Sequence, residues 1–239
     1  LHSLSFVEDP TRILRAARFE KRFGFALDPS SEALLRQAVE MSMLDEVSGA
    51  RIREELLDII DEQEPAAIFE RLHDVGALHG LLPVGVRAAG AIEALQAVTA
   101  AHGAFGSAFA RPPRRRTTLV TALAGTATRA EADRWCRWLR FGREYAEPAV
   151  TTAERGGAVM ARLTDRRKMR ASRLFFLLEA LPAETLVYLW AVGSADVRER
   201  VEEFVRVLAP TRPAVTGADL IELGLTPGPG FAAILAQAR

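Results

Sequence analysis

The sequence predicts an all-α protein, an irregular elongated array of helices, and three observations carry that expectation. Apolar residues recur at helical spacing, in Ile52, Leu56, Ile59 and Ile60 and again in Val197, Val201, Phe204, Val205 and Leu208. Each set falls on one side of a 3.6-residue repeat. Helix-start residues stand ahead of such runs: Ser30 and Ser31 before 33–44, Ser48 before 51–61, with Pro65 and Pro182 suited to first turns. No segment alternates polar and apolar residues as a half-buried strand does.

Composition bounds the function. At 239 residues the chain can bury a sizeable core or form two small helical domains in series. Hydrophobic content of 49% with 26% charged residues reads as globular, not disordered. Lys plus Arg (31) balances Asp plus Glu (31), so any affinity for nucleic acid has to come from local patches and not from a global field. The one cysteine, Cys136, excludes an intrachain disulfide framework and a cysteine-rich zinc site, and it suits a reducing cytoplasm. Beside Trp135 and Trp138 it reads as a small buried apolar residue. No apolar stretch approaches the roughly 20 residues that span a bilayer, so a cytoplasmic chain without a membrane partner is expected. The chain opens at Leu1 inside what reads as a continuing element, and it is expected to be a piece of a longer protein.

The most informative segment is 4–25, LSFVEDPTRILRAARFEKRFGF. On a helical wheel Asp9, Arg12, Arg15 and Ala16 share an arc with Phe19 and Phe23, while Ile13, Leu14 and Ala17 lie on another side. A solvated charged face does not normally include two Phe, so the charges are expected to line a cleft. There Asp9 and Arg12, three apart, present an acceptor beside a donor. The same residues also admit a plain structural role, with Asp9 and Pro10 as N-cap and first turn and Ser5 with Glu8 as a capping box.

Further on, the segment from Gly103 to Thr118 interrupts the helical pattern with Pro112, Pro113 and the run Arg114, Arg115, Arg116, and is expected to be a boundary or an exposed loop. A second basic cluster holds Arg162, Arg166, Arg167, Lys168, Arg170 and Arg173. Both clusters are candidates for contacts to an RNA backbone, since phosphate neutralisation needs Lys and Arg but no reading of bases. The TPGPG stretch, 226–230, is most simply a tight turn before a last short helix.

EDPTRILRAARF resembles the nucleotide-selecting motif of the class II tRNA nucleotidyltransferases, Glu-Asp, two residues, Arg, two residues, Arg-Ala-x-Arg-Phe. ARIREEL at 50–56 resembles the family's next motif, and ERLHDVGALHGLLP at 70–83 its leucine-rich helix ending in a Leu-Pro turn. Segments 172–191 and 216–235 are similar to long bacterial members with extra upstream domains, many of which add only the terminal A.

The resemblance implies a neck at 1–64 that selects the nucleotide, a body at 65–110 and a tRNA-binding tail at 111–239. It implies that Asp9 accepts from the exocyclic amine of adenine or cytosine while Arg12 donates to the ring nitrogen. Arg15 supports, toward the triphosphate, and Glu8 braces the helix start. Arg18, Arg51 and Glu54 support the selecting helix. The implied partners are tRNA and ATP, with CTP as a second candidate.

Transfer of this kind uses Mg²⁺ held by an Asp-x-Asp pair on a strand of a catalytic head. The sequence contains no Asp-x-Asp, so no catalytic or metal-binding residue is assigned and Mg²⁺ is expected to belong to the head. Two other classes remain. His73 and Asp74 form the dipeptide of His-Asp phosphohydrolases, which also need an upstream His and a downstream Asp. A free-standing RNA-binding module would keep the basic clusters but leave the pattern of Asp9 and Arg12 unexplained.

Overall fold

The computed structural model describes residues 5–165, 169–211, 217–226, 228, 230, 231 and 234, and every regular element among them is helical. The order is α1 (Ser5–Glu8), α2 (Thr11–Phe23), α3 (Pro29–Glu40), α4 (Gly49–Asp61), α5 (Pro65–Asp74) and α6 (Ala88–Phe105). There follow α7 (Arg115–Ala124), α8 (Arg129–Trp138), α9 (Arg143–Thr164), α10 (Ala171–Leu178), α11 (Ala183–Val192), α12 (Ala195–Glu203) and α13 (Gly217–Glu222). A π turn over Phe204–Leu208 continues α12.

The apolar periodicity decides the packing. Ile52, Leu56, Ile59 and Ile60 of α4 are fully buried, and Ile13, Leu14 and Ala17 give α2 its inner side. α2 packs on α4 and α5, α5 leads into α6, and α6 is the long element shared by α5, α7 and α11. α9 covers α7 and α8, and α12 closes on α11. Among the described residues an apolar cluster runs from Phe6 to Val205. The expected boundary after 64 lies between α4 and α5, and that after 110 in the connection from α6 to α7. No single helix among the described residues is long and apolar enough to cross a membrane; α10 and α11 pass that test only as a pair bent by 115°.

Several helix ends differ from expectation. α3 begins at Pro29, and the cap is Asp28, whose carboxylate accepts from Ser30 N and Ser31 N at 3.0 and 3.1 Å. Ser30 and Ser31 therefore lie inside the first turn. Three cap-competent residues stand together there, and Pro29 at the first helical position selects the one before it. Ser48 occupies the N-cap of α4 without a side-chain cap bond, and Pro182 is the residue ahead of α11. The expected loop at 103–118 shortens to the stretch between a 3₁₀ turn ending at Ala108 and the start of α7. Phe105 draws α6 onward, because its ring is buried against Trp190, with centroids 5.0 Å apart, and against Phe109. Cys136 is buried as expected, and burial first, with the charge of Asp133 second, pushes its thiol up to about 12.

Two sets of polar contacts fix the helices around α2 and α4. Arg71 of α5 donates from Nε to Glu20 of α2 at 2.7 Å and from Nη1 to Glu32 of α3 at 3.2 Å. Glu20 is only 8% exposed and also accepts from Leu27 N. α4 is gripped at both ends by later parts of the chain. At its start Gly49 lies against the carbonyl of Trp138, where a Cβ would fall 2.0 Å from the oxygen, and Arg53 donates to Arg140 O at 3.0 Å. At its end Arg115 donates to Ile60 O and, at 2.8 Å, to Glu62 O, while Arg116 pairs with Asp61. A helix leaves its last carbonyls without internal partners, and here Arg115 of α7 supplies donors to them.

Candidate nucleotide-reading site

Burial of Ile13 and Leu14 turns the opposite side of α2 outward, and that side carries Arg12, Arg15, Ala16 and Phe19, with Asp9 just ahead of it at the turn from α1. Among the described residues the Asp9 carboxylate accepts only from side chains and caps no backbone N–H of α2. Its Oδ1 accepts from Thr11 Oγ1 at 2.7 Å and from Arg51 Nη2 at 2.8 Å; its Oδ2 accepts from Arg15 Nη2 at 3.1 Å. Arg12 Nε stands 3.9 Å from Asp9 Oδ2, and Arg12 Nη1 donates to Ser5 O at 3.1 Å. The half-exposed Arg12 guanidinium therefore lies beside a carboxylate oriented by three other side chains.

Burial works to raise the Asp9 carboxyl. The hydrogen bonds from Thr11 and Arg51 and the charges of Arg15 and Arg51 outweigh it, and hold the group below the usual carboxylate value. An ionised Asp9 is an acceptor only.

A row of α4 acids, extended by Glu62 just past the helix end, faces the arginines of α2. Arg15 Nε lies 2.8 Å from Glu55, Arg18 is 3.1 Å from Asp58 and 3.6 Å from Glu62, and Arg22 is 3.4 Å from Glu62. Arg15, Arg18 and Arg22 are spaced i, i+3, i+7, and so are Glu55, Asp58 and Glu62, so two matching stripes meet along the helix pair. Arg51 contacts the segment just ahead of α2, through Asp9. Glu54 is 72% exposed with Arg53 3.9 Å away, and the carboxylate that meets α2 is its neighbour Glu55. Glu8 is exposed at the end of α1.

Past the arginines, Phe23 and Phe25 stack with centroids 6.0 Å apart and are 61% and 52% exposed, while Arg18 and Arg22 lie over the Phe19 and Phe23 rings.

Glu55 has the opposite electrostatic balance from Asp9. Desolvation is its largest influence, and it exceeds the attraction of Arg15 and Arg18, so the carboxyl is held above its ordinary value. Although Arg15 Nε and Glu55 are close, Arg15 Nε, Arg18 Nε and Glu55 Oε2 are buried without a hydrogen-bond partner among the described residues. The approach is one of charges, not of aligned donors and acceptors.

The two carboxyls should therefore move stability in opposite senses with pH. Asp9, lowered on folding, contributes stability that is present above its unfolded pKa of about 3.9 and is lost as pH falls through the lower folded value. Glu55, raised on folding, contributes in acid, and the contribution is lost as pH rises through its folded value. Urea unfolding should show Asp9→Asn less stable than wild type at pH 7, with the gap closing in acid. Glu55→Gln should be at least as stable as wild type at pH 7. A Glu55→Gln midpoint well below wild type at pH 7 would mean that the ion pairs outweigh burial.

The remaining candidates separate in space. Arg114 pairs with Glu144 while staying 74% exposed, and Arg115 and Arg116 are occupied at the end of α4. Their partners lie up to 55 residues away, beyond the reach of local pattern. Arg170 immediately precedes α10; Arg166, Arg167 and Lys168 lie outside the described residues, as does part of the TPGPG turn. His73 sits in the last turn of α5 and lines a pocket of about 700 Å³ with His79, Trp135 and Trp138. Among the described residues no group of three or more His, Cys, Asp or Glu is placed to hold a metal ion.

Comparison with known proteins gives this geometry a lineage. Residues 24–87 match the family model described as the probable RNA and SrmB-binding site of polymerase A. The chain is 34% identical over 242 residues to an A-adding tRNA nucleotidyltransferase of Geobacter sulfurreducens, a match covering 98% of the chain and 27% of that relative. A multifunctional CCA protein of Xanthomonas campestris pv. campestris is 42% identical over 82 residues, 33% of this chain and 20% of its own. In fold the chain is similar to a CCA-adding enzyme in complex with ATP, with a TM-score of 0.82 and 25% identity over 99% of this chain and 56% of that one. It is similar also to the Thermotoga maritima CCA-adding enzyme complexed with tRNA(CCA), with a TM-score of 0.80, 25% identity and coverage of 99% and 57%. The chain spans about a quarter of the length of its Geobacter relative and just over half of those solved chains. With this homology along nearly its whole length and an all-helical fold shared with the same enzymes, the chain belongs to the CCA-adding, class II nucleotidyltransferase family and corresponds to part of those longer proteins.

Proposed function

We propose that the chain is the nucleotide-selecting and tRNA-holding part of a tRNA 3′-terminal nucleotidyltransferase, adding A or CCA, with Asp9 and Arg12 as the pair that reads the base. The observation that supports this most is the orientation of Asp9. Three side chains hold it ionised beside Arg12, and it performs no cap. Adenine and cytosine each present an amine donor next to a ring-nitrogen acceptor, which suits a carboxylate next to a guanidinium. Guanine and uracil present a carbonyl and an N–H there, so each meets a group of its own kind and leaves it unpaired. A mismatch of this sort can discriminate strongly. Arg15 and Arg51 position Asp9, and the arginine and carboxylate stripes seat α2 on α4. ATP, with CTP as a second candidate, and tRNA are the partners this reading assigns, and the neck, body and tail divisions at 64 and 110 go with it.

No set of described residues fits the Mg²⁺ that nucleotidyl transfer uses, so no step of the chemistry is assigned to this chain's residues. Supplied alone with ATP, CTP, Mg²⁺ and tRNA lacking its 3′ end, the chain should incorporate nothing. Joined to a head carrying the Asp-x-Asp pair, it should support addition. Salt-resistant incorporation by the pure chain would overturn the assignment, and loss of addition by the joined enzyme on deleting 1–64 is expected.

A further inference from the structure

Arginines of α2 meet carboxylates, and so do Arg71, Arg114 and Arg116. A different arrangement holds between the second half of α9 and the start of α10. A concavity of about 830 Å³ is lined there by Arg155, Arg162, Arg170 and Arg173, with Ser172 and Phe176 among its walls. None of these four guanidiniums makes an ion pair or hydrogen bond with a described residue. One carboxylate, Asp165, lines the same space.

Arg155 and Arg162 are seven apart on α9, hence on one face and about 10 Å apart along the axis. Arg170 precedes α10 and Arg173 lies in its first turn, which contains no acid and has no side-chain cap. Cations at that end add to the positive pole of the helix, where acids are the favourable choice. Phe176, one turn beyond Arg173, is 46% exposed.

Four guanidiniums with no ion-pair partner among the described residues repel each other around one hollow, and an anion entering the hollow relieves that repulsion. The volume lies within the roughly 300–1,000 Å³ of sites that hold a drug-sized molecule, well beyond one phosphate. Guanidinium forks match phosphate oxygens bidentately. The geometry points to a seat for consecutive phosphodiesters of a folded RNA, held by Arg155, Arg162, Arg170 and Arg173, with Phe176 as an apolar platform for a sugar or unstacked base. It rests on the reading of the chain as a tRNA-holding part, and it moves the backbone contact away from Arg114 to Arg116.

The test is salt-dependent binding of the chain to a tRNA transcript and to an RNA hairpin of equal length. Replacing the four arginines by Gln breaks no side-chain hydrogen bond or ion pair among the described residues. The quadruple variant should flatten the slope of log K against log salt by about three to four units, and should lose the roughly 100-fold weakening that four phosphate contacts impose between 50 and 200 mM salt. Arg114→Gln with Arg116→Gln should leave the slope unchanged. Phe176→Ala should weaken binding roughly ten-fold with no change of slope. A quadruple variant with the wild-type slope overturns the seat and leaves the tRNA reading standing. Equal, arginine-dependent binding of hairpin and tRNA supports the seat and counts against the tRNA reading. Arginine-dependent binding to phosphatidylserine vesicles without RNA binding overturns the seat.

Discussion

Arg12→Ala, made in an enzyme that joins this chain to a catalytic head carrying the Asp-x-Asp pair, should lower kcat/KM for the correct nucleotide by about 2–4 kcal/mol of transition-state stabilisation. That is the scale of a charged hydrogen bond lost in a shielded site. The guanidinium proposed to complement the ring nitrogen is gone, while Asp9 keeps Thr11, Arg15 and Arg51 as partners. The fold around Asp9 should therefore survive and the defect should appear in selection. Preference over UTP and GTP should shrink more than tRNA binding does. Asp9→Asn is the companion. Its amide can turn an N–H₂ toward a carbonyl, so misincorporation of UTP or GTP should rise. A residue that only caps a helix tolerates Asn with no loss. Single-nucleotide incorporation with each NTP reads both variants, and unchanged base preference in Asp9→Asn would leave Asp9 a scaffold residue.

The second large effect is on stability. Arg71→Met should destabilise the chain by about 3 kcal/mol, because removing one partner of a mostly buried pair leaves an uncompensated charge. Glu20 would be that charge: it is 8% exposed, and without Arg71 it keeps, among the described residues, only the N–H of Leu27. Glu32, 24% exposed and still paired with Arg36, should matter less. The double variant Arg71→Met with Glu20→Gln should recover more than half of the loss, since a neutral amide tolerates burial better than a lone carboxylate. Urea unfolding of the three proteins gives the comparison. A single Arg71→Met variant within 0.5 kcal/mol of wild type, about the size of an ordinary surface change, would show the pair to be surface-like.

The helices were legible because apolar period and burial are the same fact seen twice. Ile52, Leu56, Ile59 and Ile60 share a face by spacing and a core by burial, and α2 shows Ile13, Leu14 and Ala17 inward with Arg12 and Phe23 outward. Asp9 and Arg12 were legible as neighbours from their three-residue separation. What spacing could not give was which distant groups they meet. Arg115 reads as part of an exposed basic run, yet its donors serve carbonyls of Ile60 and Glu62, and no local pattern records an accepting carbonyl. Glu55, Asp58 and Glu62 did carry a signal, since their spacing repeats that of Arg15, Arg18 and Arg22. The motif at 50–56 contains both Glu54 and Glu55, and a shift of one residue turns a helical side chain by 100°.

The grip on both ends of α4 bears on descent as well as on folding. The helix that seats α2 meets the carbonyl of Trp138 at one end and the donors of Arg115 and Arg116 at the other. A recombination event that exchanged everything after about residue 110 between two relatives would bring a foreign wedge against Gly49 and foreign donors to Ile60 and Glu62. The two halves are therefore heritable as a matched pair, and lineages in this family should diverge by changing α4 together with α7 and α8, not by trading tails.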